Sequence, residues 1–341
     1  NRFQRTVTGA VLESGEPDLL YLNDGKAYFK RRKMNAGHFS LSDGSPLPNS
    51  FRDWGLSAVF RDLNGDFIPD LYVCNDSHSL DRLWWGEGHG QFRLAATDHL
   101  PFMSLSSMGI DVADFNKDGI DDFFVLDMLS RTHERRLRQE ELSSADLATA
   151  VPAQYPRNML FVGMGEGRFS EVARFAGVEA ADWAWAPAFL DVDFDGDEDL
   201  IASNGFIRDV RDIDANQRIG YERSRRPNSV ETLKKVRKLY PSWATANVAW
   251  RNQGGMKFED VSTSWGFRSR RVSQGMALAD LDNDGDMDVV FNNLNEAPTL
   301  MKNNTSAPRI RVELKGGKSN SEGIGARVEV RRDQGSASKT W

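Results

Sequence analysis

One nine-residue segment occurs four times and restricts this chain more than any other feature. The copies run Asp62 to Asp70, Asp114 to Asp122, Asp191 to Asp199 and Asp280 to Asp288. Each has a carboxylate or amide at positions 1, 3, 5 and 9. These are Asp62, Asn64, Asp66 and Asp70; Asp114, Asn116, Asp118 and Asp122; Asp191, Asp193, Asp195 and Asp199; and Asp280, Asp282, Asp284 and Asp288. A phenylalanine (Phe39, Phe92, Phe169, Phe258) precedes each copy by 23, 22, 22 and 22 residues. Spacing this constant across unrelated filler is the mark of a structural repeat, here of about 52 residues. Counting back from Phe39 reaches Pro17-Asp18-Leu19-Leu20, which parallels Pro69-Asp70-Leu71-Tyr72. The chain therefore opens inside a degenerate copy, with Ala10, Leu12 and Ser14 where ligands would stand.

After each loop comes a short run that is apolar on both faces: Leu71-Tyr72-Val73-Cys74, Phe123-Phe124-Val125-Leu126, Leu200-Ile201-Ala202 and Val289-Val290-Phe291. Such runs predict strands covered on both sides. Small-residue strands precede the loops, as in Gly109–Ala113 and Gly275–Ala279, and two further strands follow, as in Asn158–Val162 and Arg168–Val172. Four short strands per unit predict an all-β fold, a β-propeller of four-stranded blades with about five visible. Two stretches interrupt the period, 130–156 and 206–246. They predict helical insertions with basic runs at Arg135-Arg136, Arg225-Arg226 and Lys234-Lys235.

Alternating carboxylates on a tight loop suit a hard cation, which takes oxygen ligands. Position 7 would add a backbone carbonyl from Ile68, Ile120, Asp197 or Asp286, and position 9 would close the shell. Gly119, Gly196 and Gly285 at position 6 permit the turn, whereas Phe67 stands there in the first copy and leaves its geometry in question. An EF-hand is excluded: position 12 holds Val73, Val125, Ala202 and Phe291 instead of a bidentate Glu, and the flanks read as strands. The expected ions are about four Ca2+ with a structural role. These loops hold 18 of the 50 acidic residues, so four such ions would take the formal net charge from −7 to +1.

With the loops and strands in hand, the chain resembles the FG-GAP/VCBS repeat family of calcium-binding propellers, an architecture shared with integrin α heads. The tail Gly316-Gly317-Lys318-Ser319-Asn320-Ser321-Glu322-Gly323-Ile324-Gly325-Ala326-Arg327-Val328 looks like the start of an ASPIC/UnbV domain. That domain follows such repeats in the cartilage acidic protein family. Asp182-Trp183-Ala184-Trp185 and Asn204-Gly205-Phe206-Ile207-Arg208-Asp209 are similar to bacterial members. The resemblance implies a propeller over 1–307 that closes with seven blades when complete. It also implies a truncated second domain over 308–341 and a secreted or cell-surface protein without established enzymatic chemistry. The ends, Asn1 without an initiator Met and a strand-like stretch reaching Trp341, read as those of a fragment.

Other features exclude more than they assign. A mildly acidic balance, 43 Lys and Arg against 50 Asp and Glu, argues against a nucleic-acid surface. No apolar run is long enough to span a membrane. The lone Cys74 excludes a disulfide framework. His38, His78, His89, His99 and His133 lack metal-ligand spacing, and Gly86-Glu87-Gly88-His89-Gly90 reads as a hairpin turn. Trp84-Trp85 and Trp183/Trp185 are candidates for a sugar-stacking platform, though packing between blades is the favoured reading. Asn303-Asn304-Thr305-Ser306 contains two overlapping glycosylation sequons. No catalytic constellation is visible. The leading expectation is a binding or adhesion module for a glycan or protein. Rival readings are a polysaccharide-acting lyase or hydrolase on a propeller scaffold, or a structural subunit self-associating through its insertions.

Overall fold

In a computed structural model, the described residues are 2–5, 11–15, 18–76, 79–139, 152–225, 230–308, 310–317, 320–321, 323–332 and 335–340. Four sheets follow one another along the chain. Gly55–Arg61, Asp70–Asn75, Arg82–Gly88 and Gln91–Leu94 form the first blade, an antiparallel meander. The second is Gly109–Ala113, Asp122–Leu126, Met159–Gly163 and Phe169–Glu171. The third is Ala184–Leu190, Asp199–Asn204, Val248–Asn252 and Phe258–Asp260. The fourth consists, among the described residues, of Ser273–Ala279, Asp288–Asn293 and Thr299–Met301. The opening strands of successive blades pack side by side, which places them innermost, as the propeller expectation requires.

The strand after each loop explains the architecture. Asp122–Leu126 is buried along its whole length, so its pleat sends Phe123 and Val125 to one neighbour and Phe124 and Leu126 to the other. Phe123 packs with Tyr72, Phe161 and Phe169 between blades one and two. On the other side, Phe124 meets Trp250 between blades two and three. Leu190, Ile201, Phe267 and Phe291 fill the space between blades three and four. Full burial of a side chain of this size contributes roughly 2 kcal/mol. These inter-blade layers, repeated along the chain, hold the sheets face to face.

The N-terminal copy departs from the four-strand expectation. Arg2–Arg5 pairs with Val11–Ser14, and Leu19–Asn23 with Phe29–Lys33, as two separate hairpins. Phe39–Ser40 crosses over to lie parallel to Phe92–Arg93 as a fifth strand on blade one. Burial decides this: Phe39 stacks on Phe92 and meets the edge of Trp84 in a core with Leu47 and Leu71. The spacing that marks Phe39 as a repeat landmark is sound, but its strand serves the next blade. Ala10 and Pro17 of the degenerate loop lie outside the described residues.

Both insertions connect the second and third strands of their blades, on the rim opposite the repeated loops. The first contributes helix His133–Arg138 and strand Ala153–Tyr155, which runs parallel to Phe102–Ser104; residues 140–151 lie outside the described set. The second contributes helices Ile213–Arg225 and Val230–Arg237. The insertions are more than solvated excursions. Gln139 bridges to Asp212, and the Arg135 guanidinium lies over the Trp243 ring at 5.4 Å. Trp183 stacks on Phe206 at 4.1 Å and meets the edge of Trp243 at 5.5 Å. Trp84 is likewise 1% exposed. Trp84 and Trp183 are core, so the packing reading holds for one ring of each pair; Trp85 and Trp185 are half-buried.

Candidate metal loops on one rim

Each repeated loop connects the innermost strand of its blade to the second strand, and all four share one framework of internal bonds. The position 1 carboxylate gathers backbone N–H groups from the turn. Gly65 and Asp66 donate to Asp62 Oδ1 and Phe67 to Asp62 Oδ2; Gly119 donates to Asp114, Gly196 to Asp191 and Gly285 to Asp280. The position 5 Oδ1 accepts from position 7, pairing Asp66 with Ile68, Asp118 with Ile120, Asp195 with Asp197 and Asp284 with Asp286. Two residues per loop are left-handed, at positions 4 and 6. In the last three loops these are Lys117 and Gly119, Phe194 and Gly196, and Asn283 and Gly285.

The first loop follows the same path with the glycine moved. Gly65 takes position 4 at φ 84° and Phe67 takes position 6 at φ 66°. The question raised by Phe67 is thereby resolved for the backbone. A non-glycine residue in that region carries strain of about 1 kcal/mol or more, and Phe67 is 88% exposed, so burial does not offset it.

Position 9 is a buried staple. Its Oδ2 accepts from the position 2 amide: Leu63 to Asp70, Phe115 to Asp122, Val192 to Asp199 and Leu281 to Asp288. Its Oδ1 accepts from the third strand of the blade or, in blade four, from two residues beyond it: Gly86, Gly163, Asn252 and Asn303, at 2.8 to 2.9 Å. A Cβ on Gly86 or Gly163 would lie 2.3 Å from Pro69 O or 2.6 Å from Asp121 O, so glycine permits the approach. Burial, reinforced by neighbouring carboxylates, pushes Asp70 to about 7, Asp122 to about 8 and Asp199 to about 7. Asp191, at position 1, rises to about 6 from the same causes. A bound cation would reverse these shifts by favouring the charged form.

The loops are fastened to one another around the rim. Asn252 Nδ2 donates to Phe115 O of loop two at 3.1 Å, and Asn303 Nδ2 donates to Val192 O of loop three at 2.9 Å. Lys117 of loop two pairs with Asp197 of loop three, and Arg61 of blade one pairs with Asp121 at 2.6 Å. The amide of Asn303 in the first sequon is thus engaged in this clasp.

The donor set fits a hard cation. In loops three and four, Asp191, Asp193 and Asp195, and Asp280, Asp282 and Asp284, each bring one carboxylate oxygen within 4.8 Å of the others. Asp191 Oδ1 is shut off from solvent with no hydrogen-bond donor, an orphan that a cation would satisfy. Both triads can therefore hold a metal ion. Loops one and two place an amide at position 3 instead, whose Nδ2 donates to the position 5 Oδ2: Asn64 to Asp66 at 3.1 Å and Asn116 to Asp118 at 2.9 Å.

The third-strand residues are partners of the position 9 carboxylates that the loop motif did not reveal. A signal for them exists: Trp85-Gly86, Val162-Gly163, Arg251-Asn252 and Lys302-Asn303 each follow an apolar pair, and in the first three blades the Gly or Asn precedes a landmark Phe by six residues. The histidines play no comparable part. His38 and His99 donate Nδ1–H to the carbonyls of Gly90 and Gly167, and His78 lies outside the described residues. Gly86–Gly90 sits at the turn between paired strands, as the sequence predicts.

Residues 62–125 and 144–202 match the FG-GAP-like repeat family. No curated protein sequence matches the chain. Among solved structures, an Agrocybe aegerita lectin described as recognising non-reducing terminal N-acetylglucosamine is similar at 13% identity, with a TM-score of 0.36. The match covers 88% of this chain and 64% of the lectin chain. No helix among the described residues is long and apolar enough to cross a membrane. The chain carries FG-GAP-like repeats, set in an all-β propeller whose loops line one rim.

Proposed function

We propose that this chain is a calcium-binding β-propeller that acts outside the cell, or at its surface, as a binding or adhesion module for a glycan or protein partner. The ligands would be positions 1, 3, 5, 7 (through its carbonyl) and 9 of each loop, for about four structural ions. One observation supports this above others: in loop three, three carboxylates converge, and one of them, Asp191, has an oxygen with neither solvent nor a donor. Oxygen-only donors on a loop with two left-handed residues suit calcium better than magnesium, which needs a tighter octahedron. Calcium would stiffen the rim by neutralising carboxylates that otherwise repel. The ligand itself would be bound by the surfaces so held. Residues 308–341 would begin an ASPIC/UnbV domain.

Isothermal calorimetry of metal-free protein with calcium tests the metal claim. About four binding events are expected, and no heat beyond dilution overturns it. A glycan array probed with calcium and with chelator, followed by product analysis of any captured glycan, separates a binding module from a polysaccharide-acting enzyme. Size-exclusion chromatography with and without residues 206–246 addresses self-association.

A further inference from the structure

We propose that Arg251 and Lys302 are tethered counter-cations that lower the divalent-ion affinity of loops three and four, bringing it down towards that of loops one and two. This rests on reading the loops as calcium sites. The two residues occupy one structural position. In the blade registers Leu71 faces Trp84, Phe123 faces Phe161, Leu200 faces Trp250 and Val289 faces Met301. The residue that follows is Trp85, Val162, Arg251 and Lys302 in turn. Only where position 3 of the loop is Asp is this residue a cation.

The same acceptor changes partner accordingly. The position 5 Oδ2 takes the Asn64 or Asn116 amide in loops one and two. In loop three it takes Arg251 Nη2 at 3.0 Å, and in loop four Lys302 Nζ at 3.4 Å. Arg251 Nε also lies 2.7 Å from Asp193 Oδ2, though without hydrogen-bond alignment, so this contact is Coulombic. Lys302 Nζ likewise pairs with Asp282. Across positions 1, 3, 5 and 9, loops one and two carry three carboxylates and loops three and four carry four. One cation each levels the formal charge of all four sites at −3.

A fixed positive charge about 5 Å from a dication weakens its binding on the order of ten-fold, even at the dielectric of water. The side chains of Arg251 and Lys302 are 40% and 52% exposed, so solvent screens their charge, and the dielectric of water is the appropriate one for this effect. The levelling would make the rim fill over one narrow range of calcium, where bare triads would fill first.

The test is calcium titration of the whole chain by calorimetry at fixed ionic strength, comparing wild type with Arg251→Gln, Lys302→Gln and the double variant. Glutamine keeps a hydrogen bond and removes the charge. Each single variant is expected to tighten one site about ten-fold, and the double variant two sites. Arg251→Lys should retain wild-type affinity. Lys238→Gln, an equal change in net charge far from the loops, should leave every site unchanged. Wild-type binding with unaltered or weakened sites in both Gln variants overturns the inference and leaves the calcium reading intact. Absence of binding in every protein, with melting curves showing them folded, removes both. Should Arg251→Gln fail to fold, the exposed Lys302→Gln carries the test alone.

Discussion

On the loop rim, Asp70, Asp122, Asp199 and Asp288 are buried beside further carboxylates of their own loops. On the insertion rim, Asp81 and Asp127 are equally buried, but among hydroxyls and amides. Asp81 accepts from Tyr72 Oη, Ser107 Oγ and the Asn75 amide. Asp127 accepts from Ser104 Oγ and the amides of Leu105, Ser106 and Met128. Both oxygens of Asp81 and of Asp127 thus have donors, whereas the loop rim leaves Asp191 Oδ1 buried without one. Among the described residues, a cation would find an unsatisfied carboxylate oxygen only on the loop rim. Two rims of a single repeat resolve the cost of a buried carboxylate by different chemistry, so dependence on metal should divide cleanly between them.

The largest expected effect is chelation. Removing calcium should lower the melting temperature by about 10 °C or more, since each lost site withdraws several kcal/mol at saturating calcium. Calorimetry with and without chelator measures this, and a single unchanged transition breaks the comparison. Next in size is a pair of substitutions. Asp122→Ala strands the Phe115 and Gly163 amides, and Asp127→Ala strands several donors, each at about 3 kcal/mol. Denaturant unfolding should show Asp122→Ala costing more in calcium than in chelator, and Asp127→Ala costing the same in both. Equal calcium dependence of the two would erase the distinction between the rims.

A smaller effect concerns pH. Burial holds Asp70, Asp122 and Asp199 at about 7, 8 and 7, above the ordinary 3.8, so the metal-free protein takes up protons on folding in that interval. Their contribution is complete below pH 3.8 and is lost as pH climbs through 7 to 8. Chelated protein should therefore melt about 5 °C lower at pH 8.5 than at pH 6. Calcium should flatten the slope to what Asp81, at about 7, supplies from the other rim. An identical slope in calcium and chelator goes against the assignment. The smallest effect lies within the loop rim: Phe67→Gly should raise stability by up to about 1 kcal/mol by removing left-handed strain. A loss on that substitution would mean that the exposed ring makes a contact worth more than its strain.

The loops were legible because their chemistry is local: nine residues contain the carboxylates, the turn and the staple. The strands after them were legible because burial on both faces leaves an uninterrupted apolar run. Arg251 was harder to see, since 52 residues separate it from Asp199 and the second insertion hides the register. Lys302 is only 14 residues beyond Asp288, but its role depends on which carboxylate the third strand reaches. Phe39 was recognised by its spacing, but the blade its strand joins was not legible, because spacing reports the repeat and not the partner. The clasp of Arg135, Gln139 and Trp243 could not be read from two separate basic helical stretches.

By itself, the sequence determined the repeat, the all-β frame and the oxygen-donor loops, because these depend on periodicity and short-range geometry. Tertiary structure decided which rim each element joins, which charge lies against which carboxylate, and that Phe67 follows the path of glycine. Those outcomes depend on contacts between residues far apart in the chain, where burial and Coulomb energy act through space and leave no local pattern.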